Sequence, residues 1–278
     1  MRAVSPARAR ARWAPRAAGT TRRSVASASS RAVAVRARTA VKTDDDADDV
    51  ADDFEWYRKP SRVAIAGAWA TLGAVAAFAA PSGTSGFDAE LVKTIVTSPF
   101  GGVANPVFEA LFNALGVVPA TYACLLLPGA KGQKLPAALC VGASFALGFF
   151  AVGPYLATRA PRTTPAPRRS ELGWVTRNVW ESKLNAVALL GFASFLAYYG
   201  VSNLSPENVS GFIALIREQS MLACVSTCDL VVLSACMVDA IGEDMKRRNV
   251  DPSGALAYAA VPVVGPALWL VLRPSLEE

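Results

Sequence analysis

Residues 221–241 read MLACVSTCDLVVLSACMVDAI. The stretch carries two charges, Asp229 and Asp239, and its apolar positions do not alternate as a half-buried strand requires. A bilayer core of about 30 Å is crossed by about 20 helical residues at about 1.5 Å each. Within lipid, a single segment satisfies its backbone polar groups only as a helix. The stretch therefore reads as a membrane-spanning helix. Five further windows read the same way: 63–80, ended by Pro81 and Gly83; 106–127, ended by Pro128; 137–158; 184–201; and 256–272, stopped by Arg273 and Pro274. The fold class expected is all-α, a polytopic helical membrane protein with about six (five to six) transmembrane helices over residues 60–278. Residues 87–96 and 206–218 are too short and too polar to span, and are expected as amphipathic surface helices.

Composition agrees. Hydrophobic residues make up 53% and charged residues 18% of the 278, against roughly 25% charged in an ordinary soluble domain. Mean hydropathy is +0.32. The net charge of +6 is unevenly placed. Residues 1–43 hold ten Arg, plus Lys42, and no acid, which leaves the remainder at about −5. The basicity therefore does not imply a nucleic-acid partner. Residues 1–43 are rich in Ala, Arg, Ser and Thr and lack an apolar core. They read as a chloroplast transit peptide cleaved near Val35-Arg36-Ala37. Residues 44–59 follow as a disordered acidic N-terminus, because dense like charge repels itself. Trp56, Tyr57, Arg58, Lys59 and Arg62 read as an interfacial anchor.

Five cysteines, no CxxC pair and no histidine exclude a disulfide framework and a zinc site. No phosphate loop, dinucleotide fingerprint, nucleophile elbow or HExxH sequence is present. No catalytic residue, metal site or cofactor is expected.

Polar groups at membrane depth are the functional candidates, because burial there is costly. They are Asp229, Asn113, Asp239 and Glu243. Asp229, Cys236 and Glu243 share a face, and Asp239 and Glu243 are one turn apart. Such a stripe suits proton relay or cation binding. The plainer reading makes Asp229 an interhelical tie and puts Asp239, Glu243 and Asp244 on a solvated helix end, with Glu243–Arg247 and Asp244–Arg248 as i,i+4 pairs. Asn105 and Pro106 read as a helix cap and first residue, with Glu109 complementing the helix dipole. Asn113, Gly116 and Ala120 form a small-and-polar stripe suited to helix packing. Ligation of a chlorophyll magnesium by Glu109 or Asn113 is the weaker alternative.

Orientation is contradictory at this level. Lys and Arg favour the stromal side. Arg58, Lys59, Arg62, Lys131 and Lys134 agree with a stromal N-terminus. Six strictly alternating spans would put Arg159, Arg162, Arg168, Arg169 and Arg177 on the other side, with Lys246, Arg247 and Arg248. One re-entrant window would restore agreement, and the second, with Glu109, Asn113 and Pro119, is the expected one.

Three stretches, NPVFEALFNALGVVPATYACLLLP with the following KGQKLP, then GEDMKRR, then VPVVGPALWLVLRP, resemble an uncharacterised family of integral membrane proteins shared by cyanobacteria and chloroplasts. The resemblance implies a chloroplast membrane location, thylakoid in preference to envelope, and no particular activity. Partners expected are the lipid bilayer and other chloroplast membrane proteins. Three functions are compatible. A non-enzymatic role in assembling or organising a membrane complex comes first. A small-solute or ion transporter using Asp229 and the Asn113 face comes second, set back because no paired broken helices are visible. A membrane enzyme acting on lipid or pigment comes third.

Overall fold

The computed structural model describes residues 54–163 and 166–278. The transit-peptide reading and most of the acidic run lie outside the described residues. Within them, Glu55 accepts a hydrogen bond from Tyr57 and pairs with Arg58 at 2.9 Å in a short turn before the first helix.

The described chain is all-helical. Four helices are long and apolar enough to cross a membrane: α1 (Pro60–Ala79), α3 (Pro106–Leu126, extended to Gly129 by a 3-10 turn), α6 (Lys183–Ser202) and α8 (Met221–Arg247). Between them come α2 (Phe87–Thr97), α4 (Ala137–Leu147), α5 (Phe149–Thr158) and α7 (Pro206–Ala214). Two short helices close the chain, α9 (Ala255–Ala259) and α10 (Val264–Leu272). The expected start of α3 is observed: Asn105 Oδ1 accepts from the N–H groups of Val107 and Phe108, and Pro106 follows at the first helical position.

The count of six uninterrupted helices is not met, because two windows break. The third window breaks at Gly148, whose φ of 54° and ψ of −133° belong to glycine alone and turn the chain back. The helices on either side form a hairpin. At its base, the Gln133 side chain donates to Ala160 O at 2.8 Å and accepts from Ala160 N at 2.9 Å. Eleven residues of α4 reach about 16 Å, roughly half a bilayer core. At matching depth, Trp69 of α1 donates to Phe150 O beside the tip. The sixth window breaks at residues 260–263. Pro262 offers no N–H, Val263 takes a φ of 64°, and Gly265 lies so close to Tyr258 O that a Cβ would fall 1.8 Å from it. This second hairpin, α9–α10, is also too short to span: nine residues of α10 cover about 13 Å.

The second window, expected as the re-entrant one, is the continuous helix α3. Its polar groups find partners without unwinding. Glu109 is 1% exposed and accepts from Phe100 N and from Tyr199 Oη at 2.9 Å, so it fastens the opposite end of the bundle. That corrects its reading as a simple dipole partner at a helix start.

Two ends follow from these contacts. At one end meet the start of α1 (Arg62 to Leu156 O), the end of α3 (Leu125 O from Arg247), the end of α5 (Arg159 to Asp239), the start of α6 (Lys183 to Arg273 O) and the ends of α8 and α10 (Asp244 to Arg273). At the other end, Asp88 of α2 accepts from Ser220 Oγ and Leu222 N, capping α8, and Asn105 donates to Asn208 O of α7. Both hairpins enter from the first end and turn back halfway. Consequently every Lys and Arg among the described residues except Lys93 and Arg217 belongs to that end. The contradiction in charge placement disappears once the third window is a hairpin.

The core joins α1, α3, α8 and both hairpins through Leu72, Tyr122, Leu125, Phe149, Leu156, Leu233, Met237 and Trp269, all buried. Tyr122 Oη donates to Leu233 O at 2.7 Å, so the one polar atom of that ring is satisfied. Large apolar side chains also face outward: Phe78 is 90% exposed, Leu184 80% and Val231 64%. An apolar exterior of this kind suits lipid rather than water.

Candidate functional site

The predicted polar residues separate into two groups. Asp239 and Glu243 belong to the charged end. Asp239 accepts from Arg62 at 2.7 Å and Arg159 at 2.9 Å. Glu243 pairs with Arg159 and, at 2.8 Å, with Arg247. Asp244 takes Arg247, Arg248, Arg273 and the Trp269 indole N–H, all within 3.3 Å. Glu181 closes the set on Arg248 and Arg273. The expected i,i+4 pairs are present, but the solvated helix end is not. Glu243 is 6% exposed and Asp244 fully buried, because Arg159 and Arg273 arrive from other helices and cover them. The arginines also donate to carbonyls that helix ends leave open, those of Cys124, Leu125 and Leu156.

Five arginines face four carboxylates here. Burial opposes the charge of Arg248, yet Asp244 and Glu181 outweigh it and raise its pKa above the ordinary arginine value. A network this fully paired holds helices in place and leaves its carboxylates little capacity for a ligand. Arg159 Nε is the exception, buried without a partner among the described residues.

Asp229 and Asn113 belong together elsewhere. Asp229 lies about 12 Å from the start of α8 and about 27 Å from its end. Its Oδ1 accepts the N–H of Phe149 at 2.8 Å, the first residue of α5, so it caps a helix that the break at Gly148 leaves open. Its Oδ2 lies over Gly148, where a Cβ would fall 1.8 Å away. Only glycine admits the carboxylate at that point.

Above the hairpin tip the bundle leaves a cavity of about 610 Å³. Asp229, Gly148 and Ser226 contribute to its wall from one side and Asn113 and Gly116 from the other, with Val92 of α2 toward the opposite end. The cavity exists because a half-depth hairpin fills only half of the space between α3 and α8. Asn113 spends one N–H on Glu109 O at 2.8 Å, an ordinary i−4 bond. Ser144, also in the wall, donates to Val141 O. Among the described residues, no Lys or Arg lines the cavity.

The structure thus brings together two of the four candidates, Asp229 and Asn113, and assigns Asp239 and Glu243 to the charged network. Gly148, Ser226 and the Phe149 N–H were not recognised from sequence. The only available signal was a glycine at the centre of a window otherwise long enough to span, which periodicity alone does not distinguish from a packing glycine. No protein-family model matches the chain, and no curated protein or solved structure matches it significantly.

Proposed function

We propose that this chain is a chloroplast membrane protein with its charged end in the stroma, and that it takes a small ligand into the cavity at Asp229. This favours the small-solute transporter reading over a purely architectural one. The observation that supports it most is the convergence of Asp229 and Asn113 on one cavity at the tip of a broken helix. Discontinuous helices ending near mid-depth are a recurrent way to offer backbone and carboxylate groups to a solute inside a membrane. A thylakoid location remains part of the proposal and rests on the family resemblance alone. The gathering of basic residues at one end supports the stromal assignment.

Asp229→Asn tests the reading, because the amide oxygen still accepts from Phe149 N while the ionisable group is gone. The variant is expected to accumulate to wild-type level and fail to complement a null mutant. Full complementation by Asp229→Asn would reduce Asp229 to a helix cap and return the assembly role to first place.

One observation favours that second reading. Trp174, 69% exposed, and Val175 project beside Arg177 from a short helical segment, residues 174–180, before α6 at the charged end. An aromatic and a basic residue on a short helical segment outside the spans suit a protein partner. Purification of the native protein in mild detergent, with a stoichiometric partner lost in Trp174→Ala, is its test.

A further inference from the structure

The cavity at Asp229 is itself partly open, and it has an apolar neighbour. A second cavity of about 410 Å³ adjoins it, sharing Val92, Phe150 and Val225. This second space opens between Ala76 of α1, Ala89 of α2 and Met221 of α8, all on the outer face of the bundle. Its wall is almost wholly apolar. The single charged residue there among the described residues, Asp88, is already committed to Ser220 Oγ and Leu222 N. An apolar passage, open along the lipid-facing surface, therefore adjoins the cavity that holds the Asp229 carboxylate. Each volume falls within the range of about 300–1,000 Å³ that drug-sized ligands fill.

The chemistry at the inner end is specific in sign. Asp229 Oδ1 holds one backbone N–H and, among the described residues, Oδ2 accepts no hydrogen bond and no basic side chain lines either cavity. A carboxylate in such surroundings calls for a hydrogen-bond donor or a cation from its ligand. Ser226 and Asn113 add hydrogen-bonding groups beside it. A freely soluble ion gains nothing from the apolar passage, whereas an alkyl chain fits it.

We infer that the ligand is a lipid-phase amphiphile, an alkyl chain with a hydrogen-bond-donating head, which enters sideways between α1, α2 and α8 and sets its head on Asp229. This rests on the ligand-binding reading proposed above and adds the ligand's class and its route. The chain lies in the apolar passage along Val92 and Val225. The head donates to Asp229 Oδ2 and accepts from, or donates to, Asn113 and Ser226.

Two photoreactive probes separate the possibilities, used on the full protein in phosphatidylcholine nanodiscs: a diazirine-bearing hexadecylamine and a diazirine-bearing propylamine. The long-chain probe is expected to label peptides covering 87–97 and 221–231. Labelling should fall about tenfold in Asp229→Asn, the loss expected when a charge-assisted bond becomes neutral. Ala76→Trp, which fills the second space and lies outside the lining of the Asp229 cavity, should abolish long-chain labelling and spare the short probe. Long-chain labelling spread evenly over the outward faces and unchanged by either substitution overturns the inference. If the short probe alone labels in an Asp229-dependent manner, entry is from water: the lateral route falls and the cavity reading stands. If neither probe depends on Asp229, both fall.

Discussion

Gly148→Ala adds one methyl group at the point where the first hairpin turns, and the consequences can be worked from distances. The new Cβ would lie 1.8 Å from Asp229 Oδ2 and 2.6 Å from its Cγ, where van der Waals contact requires about 3.5 Å. Asp229 must swing away, which breaks its bond to Phe149 N. A hydrogen bond to a charged group contributes about 1.5–3 kcal/mol. The backbone at φ 54° and ψ −133° costs a residue with a Cβ about 1–3 kcal/mol more. Together the variant should lose roughly 3–5 kcal/mol of stability, measured by reversible unfolding in mixed micelles with tryptophan fluorescence. Gly142→Ala is the control: it lies on the same hairpin arm with nothing within 4 Å of its Cβ position. It should change stability by no more than about 1 kcal/mol, in the stabilising direction. The double variant Gly148→Ala/Asp229→Ala removes the clash but keeps the backbone strain. It should be less destabilised than the sum of its single variants by about 1.5–3 kcal/mol. A Gly148→Ala variant no weaker than Gly142→Ala, or strict additivity in the double variant, would refute the reasoning.

The hairpin also predicts topology: Lys134→Cys and Gly173→Cys should react with an impermeant maleimide from the same side of a sealed vesicle, whereas a spanning third window would expose them on opposite sides. At the charged end, Arg247→Met leaves Glu243 and Asp244 short of a buried partner and should cost about 3–5 kcal/mol, read as loss of unfolding stability. Removing both sides of one pair, as in Arg159→Met/Glu243→Met, should be less damaging than the two single changes combined, which a double-mutant cycle in the same unfolding assay checks. For targeting, residues 1–43 fused to a fluorescent protein should reach chloroplasts and be absent from the mature protein by mass spectrometry. An intact Met1 in the mature protein would count against it.

Hydropathy by itself determined that the chain is helical and which windows are long and apolar. Local rules located the cap at Asn105 and the breaks at Pro81 and Pro128. These are properties of a segment and its immediate neighbours, so a linear reading reaches them. Whether a window crosses or turns back is different. Residues 137–158 carry no charged side chain, and reversal at Gly148 becomes favourable only because Asp229, on a helix far away in sequence, supplies the acceptor that the freed Phe149 N–H needs. The same holds at the charged end. Glu243 and Asp244 carry the pattern of a solvated helix terminus, and nothing on α8 itself reveals that Arg159 and Arg273 will bury them. The cavity at Asp229 is likewise invisible along the chain, since it is the space a half-length hairpin leaves unfilled. Sequence fixes the cost of placing a charge or an open backbone group in an apolar setting. Only the tertiary structure supplies the distant partner that offsets this cost, and here such partners decide both the topology and the site.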